Sequence, residues 1–249
     1  MQVNILEAKT DFSKLIRMLE TKREESITVA RNGKPVAVIM IDGRPETLFD
    51  VGENCNALVA AWYPGEEGSA ALASLLFGDV NFSAKLPVTF PKHVGQLPLC
   101  YDRVQSACGY YHKPGTSETP GRDYVFSDPM PAFSFGEGMG YSEIVYRALR
   151  AESIGKEIRL TVVLENKGCM TAEETVLVFV KDEAASVPQP IKKLVAMQKI
   201  ILNAGETKTE ELVIPEDLLM FTDQKGQKKW ESGWFSVSVG GLSDRIYVK

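Results

Sequence analysis

Hydrophobic and polar residues change their spacing twice along the chain, and the changes divide it into three stretches. Near the start, Ala8, Phe12, Leu15, Ile16 and Leu19 recur at four- and three-residue steps, which is one face of an amphipathic helix. The short apolar run Gln2 to Leu6 before it predicts a strand, and the polar stretch Glu20 to Ser26 ends it. Ile27 to Ala30 and Pro35 to Ile41 predict two more strands. Arg31-Asn32-Gly33-Lys34 joins them, and Asn-Gly is a strong hairpin signal because it accepts the positive φ angles of a tight turn. In the middle stretch, Asn56 to Tyr63 and Gly68 to Phe77 are apolar and Ala-rich on either side of Pro64-Gly65, which predicts two short helices around a break. Lys85 to Pro91 reads as a short strand. From 92 to 140 the periodicity fades while Pro98, Pro114, Pro120, Pro129 and Pro131 recur, which predicts loops draped over another domain.

In the last stretch the period falls to two. Ile158, Leu160, Val162 and Leu164 alternate with mostly polar residues, and Phe235, Val237 and Val239 alternate with serines. Val176 to Val180, Ile200 to Leu202, Glu210 to Ile214 and Arg245 to Val248 supply further strands, with a turn at Asn203-Ala204-Gly205-Glu206. Short strands at even spacing predict an antiparallel sandwich of about a hundred residues. The expected fold class is α+β in several regions: a small α/β module at 1–41, a partial α/β stretch with wrapping loops at 42–140, and a β-sandwich at 141–249.

Composition narrows the possible functions. The 249 residues carry a net charge of −5, with 44% hydrophobic and 24% charged residues, which excludes long disorder and a wholly basic nucleic-acid binder. Residues 1–41 hold seven basic and five acidic side chains, so this stretch is +2 and the remainder −7. That asymmetry favours a DNA-facing start. Cys55, Cys100, Cys108 and Cys169 form no CxxC pair and are expected to be reduced thiols. His93 and His112 are the only histidines, which argues against a His-based metal site. With no apolar leader and no apolar run near 18 residues, the chain is expected to be cytoplasmic and free of membrane.

Two family resemblances follow from longer words. Val3-Asn4-Ile5-Leu6-Glu7-Ala8-Lys9, Ser13-Lys14-Leu15-Ile16 and Val29 to Ala37 fall in the order strand, helix, strand, Asn-Gly turn, strand. Residues 1–40 thereby resemble the Phd/YefM-type antitoxins. That resemblance implies a homodimer that binds DNA through 1–41, with Lys9, Lys14, Arg17 and Arg31 as phosphate contacts.

From about 36 onward the words are Val38 to Pro45, Ala61 to Gly68, Leu76 to Pro91, Gly95 to Pro98, Tyr111 to Pro114 and Phe135 to Ser142. Glu165 to Gly168, Pro190 to Leu194, Ala204 to Thr207, Ser232 to Phe235 and Val239 to Gly241 follow. This long series resembles the C-terminal part of glycoside hydrolase family 3, the β-glucosidase and β-xylosidase family, with its fibronectin-III-like tail. Phe82 and Ala84 stand where the family usually has Pro and Gly, and Glu137, Met139 and Gly140 where it has Tyr, Leu and Ser. The two resemblances meet at the shared word Gly33 to Val38, which suggests a join across a common strand.

Glycoside hydrolysis uses a carboxylate pair flanking the scissile bond. The resemblance implies an Asp nucleophile from an N-terminal (β/α)8 barrel and, in many members, an acid/base Glu upstream of the Val38–Pro45 word. Nothing in 1–35 matches either motif, so no residue here inherits a catalytic role, and the expected partner is a separately encoded barrel domain or a sugar. Asp42, Glu66, Glu67, Asp79, Asp102 and Asp123 are the other carboxylates weighed. Glu66-Glu67 reads as acids at the start of a helix. Asp42 and Arg44 end a strand at what would be a sheet's carboxyl edge, and Trp62 could stack on a sugar, so these three are the substrate-bordering candidates. Gly136-x-Gly138-x-Gly140 lacks the GxGxxG spacing, GxSxG, HExxH and GxxxxGK[ST] are absent, and no cofactor or metal is expected.

Overall fold

The computed structural model describes residues 2–4, 27–31, 34–48, 55–104, 116, 118 and 130–249. It divides into two compact units. The first takes in residues 1–80, 90–97 and 131–133, and the second takes in 81–89, 98–130 and 134–249.

The first unit is built on a four-stranded sheet of β1 (Gln2–Asn4), β2 (Ile27–Arg31), β3 (Lys34–Met40) and β4 (Leu58–Ala60), in that order. β1 pairs parallel with β2, β2 antiparallel with β3, and β3 parallel with β4. Arg31 lies opposite Lys34, so β2 and β3 form the hairpin that Asn32-Gly33 implied. Val38 and Ile39 are 6% and 2% exposed, and these apolar β3 residues set the sheet's buried centre.

The helix expected over Asn56 to Tyr63 is instead the strand β4 and an extended exit. An apolar run this short, stopped by Pro64-Gly65, completes hardly two helical turns. Pairing with β3 satisfies its backbone instead: Val38 N–H donates to Ala57 O and Ala61 N–H to Met40 O, each at 2.8 Å. The second expected helix is present as α1 (Gly68–Leu76), which buries Leu72. Glu67 occupies its N-cap without a side-chain capping bond, so Glu66 and Glu67, both exposed, act on the helix by charge alone. The helix expected over 8–19 lies outside the described residues.

The second unit is a β-sandwich. Its strands are β5 (Ile144–Ile154), β6 (Glu157–Asn166), β7 (Ala172–Asp182), β8 (Lys193–Leu202), β9 (Thr207–Ile214), β12 (Gly233–Val239) and β13 (Leu242–Val248). One sheet runs β13-β12-β7-β8 and the other β5-β6-β9, all neighbours being antiparallel. A short helix α2 (Glu216–Leu219) and the two-residue strands β10 (Phe221–Thr222) and β11 (Lys228–Lys229) fill the β9–β12 connection. The alternation in sequence is the alternation in burial. Ile158, Leu160, Val162 and Leu164 are all 0% exposed and face Val176, Val178 and Val237 across the core.

Two polar devices fix this core. Asn166 is fully buried; its amide donates to the carbonyls of Met170, Leu202 and Asn203 at 2.8, 3.1 and 3.1 Å, and its oxygen accepts Gly168 N–H at 2.9 Å. Asp244 on β13 accepts Ala151 N–H of β5 at 2.8 Å, which ties the two sheets together at that edge.

Residues 81–89 and 134–140 lie against the sandwich as a strap. Leu86 N–H donates to Glu137 O at 2.7 Å, and Gly136 N–H donates back to Leu86 O at 2.8 Å. Asn81 accepts Tyr141 N–H at 2.8 Å and donates to Ser142 Oγ at 3.0 Å. The expected strand 85–91 is reduced to a single bridge, Phe90 opposite Phe133.

Candidate functional site

β3 and β4 run parallel, so their carboxyl ends open on one edge of the sheet. In open α/β sheets ligands settle at that edge, because the loops leaving it are free to vary while the strands hold them in place. Asp42, Gly43 and Arg44 leave β3 there, and Trp62 and Tyr63 leave β4. The three substrate-bordering candidates, Asp42, Arg44 and Trp62, therefore share one rim.

Trp62 has a φ of 53°, and among the described residues it is the one non-glycine in the left-handed region. A bulky residue pays about 1 kcal/mol or more for that backbone. It is held by Phe90, whose ring centroid lies 5.9 Å away, and Phe90 is in turn buried edge-on against Phe133 at 6.4 Å. The turn at Trp62 swings Tyr63 across the neighbouring loop. A Cβ on Gly43 would meet Tyr63 Cε2 and Oη at 2.9 Å, so only glycine lets this ring lie on the backbone there. The ring is nonetheless 76% exposed. Tyr63 and Gly43 are thus part of the rim, although the sequence reading did not single them out. The signal was an aromatic placed directly before Pro64-Gly65, three residues after the end of β4.

The charges on the rim are arranged asymmetrically. Burial first, and then the nearby Glu46 carboxylate, push Asp42 above the usual carboxylate range, with Arg44 pulling the other way. Arg44 Nε donates to Glu46 Oε1 at 2.7 Å, which keeps this exposed guanidinium firmly protonated. The rim thus offers a hydrogen-bonding carboxyl beside an exposed aromatic face, with a fixed cation–anion pair alongside. That combination suits a polyhydroxylated ring: an apolar C–H face to stack, and hydroxyls to bond.

The loop into α1 is shaped by the same closeness of backbone. Gly65 has a φ of 76°, and a Cβ on Gly68 would lie 2.4 Å from Pro64 Cβ. Of the other carboxylates, Asp79 follows α1, where its N–H donates to Ser74 O at 2.9 Å, and both Asp79 and Asp102 are exposed. Lys9, Lys14, Arg17 and Asp123 lie outside the described residues, as does the Arg31 side chain; only its β2 backbone is placed.

Comparison with known proteins matches residues 13–141 to the glycosyl hydrolase family 3 C-terminal domain and residues 174–243 to the fibronectin type III-like domain. The chain is 35% identical over 223 residues to a β-xylosidase of Formosa agariphila, covering 86% of this chain and 29% of that protein. It is 30% identical over 239 residues to a periplasmic β-glucosidase of Salmonella typhimurium, covering 93% of this chain and 30% of that protein. Among solved structures, a β-glucosidase from Erythrobacter marinus superposes with a TM-score of 0.76 at 31% identity, over 96% of this chain and 30% of that one. A mutant β-glucosidase from Listeria innocua in complex with laminaribiose gives 0.75 at 30% identity, over 87% and 30%. The chain therefore spans about 30% of the length of these relatives. The family 3 match begins at residue 13 and runs through the helix and hairpin words of the antitoxin resemblance, which gains no support.

Proposed function

The chain belongs to glycosyl hydrolase family 3, and from that premise we propose that it serves as the C-terminal portion of a β-glucosidase or β-xylosidase. The observation that carries the reading is the family match over 13–141, which contains the whole rim of Asp42, Arg44, Trp62 and Tyr63. In this reading the rim forms one wall of a sugar cleft. Tyr63 presents an apolar face to a pyranose, Asp42 accepts from or donates to its hydroxyls, and Arg44 is steadied by Glu46. The carboxylates that break the glycosidic bond come from the part of a family 3 enzyme that these residues do not span. The working partner is a barrel domain of that family.

A chimera tests this. The corresponding C-terminal stretch of the Salmonella relative is replaced by these 249 residues, and release of the chromophore from aryl β-glucosides and β-xylosides is followed. The chimera is expected to turn over and the 249-residue chain alone to stay at background. A folded but inactive chimera, or turnover by the chain alone, overturns the reading.

A further inference from the structure

On the outer face of the β13-β12-β7-β8 sheet, Trp234 stands opposite Tyr247 and Ser236 opposite Arg245 and Lys181. Phe235 and Val237 point into the core, so this row points out. Trp234 and Tyr247 are each 42% exposed and meet edge-to-face, 5.4 Å between centroids. The Arg245 guanidinium lies over the indole at 4.1 Å. It is held there by Glu183, which accepts from Nε at 3.0 and 2.9 Å and from Nη2 at 2.8 Å. A guanidinium has five N–H groups, so donors remain on the side away from Glu183.

Glu183 also belongs to a groove of about 420 Å³ formed by the segment Lys181 to Ile191 and closed by Val104. The walls are polar, with Lys181, Ser186 and Gln189 among them. Their charges balance: Lys181 and Arg245 stand against Asp182 and Glu183, and Glu231, whose carboxylate accepts Ser186 N–H at 2.9 Å, is paired with Lys229 at 2.6 Å. Burial raises Asp182, whose carboxylate accepts Ala184 N–H at 3.1 Å, and Arg245 and Lys181 hold Glu183 low.

We infer that this aromatic shelf and the groove beside it form a second, non-catalytic saccharide site that takes a neutral β-linked oligosaccharide. The shelf supplies exposed ring surface for the C–H face of a pyranose, and a pre-ordered guanidinium supplies donors that need little further ordering on binding. The groove has room for the next sugar units and lines them with donors and acceptors. The balanced charges give no field to attract a polyanion or polycation, which selects an uncharged, hydroxyl-rich ligand. The choice of a glycan rests on the family reading above. The site would keep a polymeric substrate near the enzyme without touching the bond that is cut.

The whole 249-residue chain is run on native gels containing laminarin, mixed-linkage β-glucan or xylan, and titrated with cellohexaose and xylohexaose by tryptophan fluorescence. Retardation by at least one neutral glycan is expected. Trp234→Ser and Tyr247→Ser should each weaken it at least tenfold with the far-ultraviolet dichroism unchanged. Arg245→Gln, which keeps the aromatic pair, should weaken it several-fold and serves if Trp234→Ser fails to fold. Val213→Ser, at an exposed position of β9 in the other sheet, should leave it unchanged. No retardation, retention only by an acidic polysaccharide, or loss in Val213→Ser with Trp234→Ser unaffected overturns the proposal. An inactive chimera alongside Trp234-dependent retardation counts against the rim reading and leaves this site standing; an active chimera with no retardation does the reverse.

Discussion

The Lys85 ammonium lies 3.1 Å from Glu174 Oε1, in a setting where the two side chains are only 18% and 11% exposed. The same oxygen accepts the Tyr146 hydroxyl at 2.9 Å, and Lys85 also donates to Gly138 O at 3.0 Å. One carboxylate thus joins the strap, β5 and β7. Removing one member of a buried pair leaves the other charge uncompensated, a larger effect than the pair's own net worth. Lys85→Met is expected to destabilise by about 3 kcal/mol in guanidinium unfolding. Adding Glu174→Leu to it should restore part of that loss, and a double variant no better than the single would show that the pair is not acting through charge.

Tyr146 makes stability depend on alkaline pH. Burial first, then the Glu174 charge and hydrogen bond, raise its phenol above the ordinary 10.0. The folded protein keeps this proton where the unfolded chain releases it, so the native state binds more protons above pH 10. The contribution is fully present below about pH 10 and is lost as pH rises beyond it. Unfolding free energy should fall between pH 10 and 11.5, and Tyr146→Phe should flatten that fall.

Gly240 has a φ of 55°, and a Cβ there would lie 2.3 Å from the Tyr146 ring. Gly240→Ala combines a strained backbone with an overpacked contact, so about 2–4 kcal/mol of destabilisation is expected. Gly205→Ala is the comparison, with a similar φ of 73° and nothing within 4 Å. It should cost about 1 kcal/mol, since only the backbone term remains. Equal melting shifts for the two would count against the Tyr146 contact.

The sandwich was legible because a two-residue period with one buried face leaves few alternatives: Ile158 to Leu164 and Phe235 to Val239 are inward where the pattern puts them. β4 was not, because Ala and Leu favour helices and only the parallel partner β3, twenty residues earlier (Met40 opposite Ala60), makes extension the better choice. The rim was half legible. A strand end gave Asp42 and Arg44, and a ring able to stack on a sugar gave Trp62, but a positive φ at Trp62 carries no sequence mark, so the placement of Tyr63 over Gly43 was hidden. The departures from the family words prove to be neighbours: a Cβ on Gly140 would lie 2.7 Å from Phe82 O, and Phe82 packs edge-on to Tyr141 at 5.6 Å.

Asp42 should be spared by neutralisation as far as folding goes. Its carboxyl is raised by burial and by Glu46, so the protonated form is the one the fold prefers, and that preference is lost as pH rises through the carboxylate range. Asp42→Asn is expected to change stability by less than about 0.5 kcal/mol at pH 7, in the stabilising direction. In the chimera it should lower kcat/KM at least tenfold. A destabilised variant, or one with full activity, would remove Asp42 from the rim's chemistry.

The left-handed backbone at Trp62 makes position 62 a place where two substitutions answer different questions. Alanine discards the indole and keeps a side chain in an awkward conformation; glycine discards the indole and relaxes the chain as well. The ring's hold on Phe90 is read from the first, and the difference between the two reads the tension stored in one peptide link. A rim whose shape depends on that tension is held as a latch is held: the grip of Trp62 on Phe90 fixes the turn from which Tyr63 leaves the sheet.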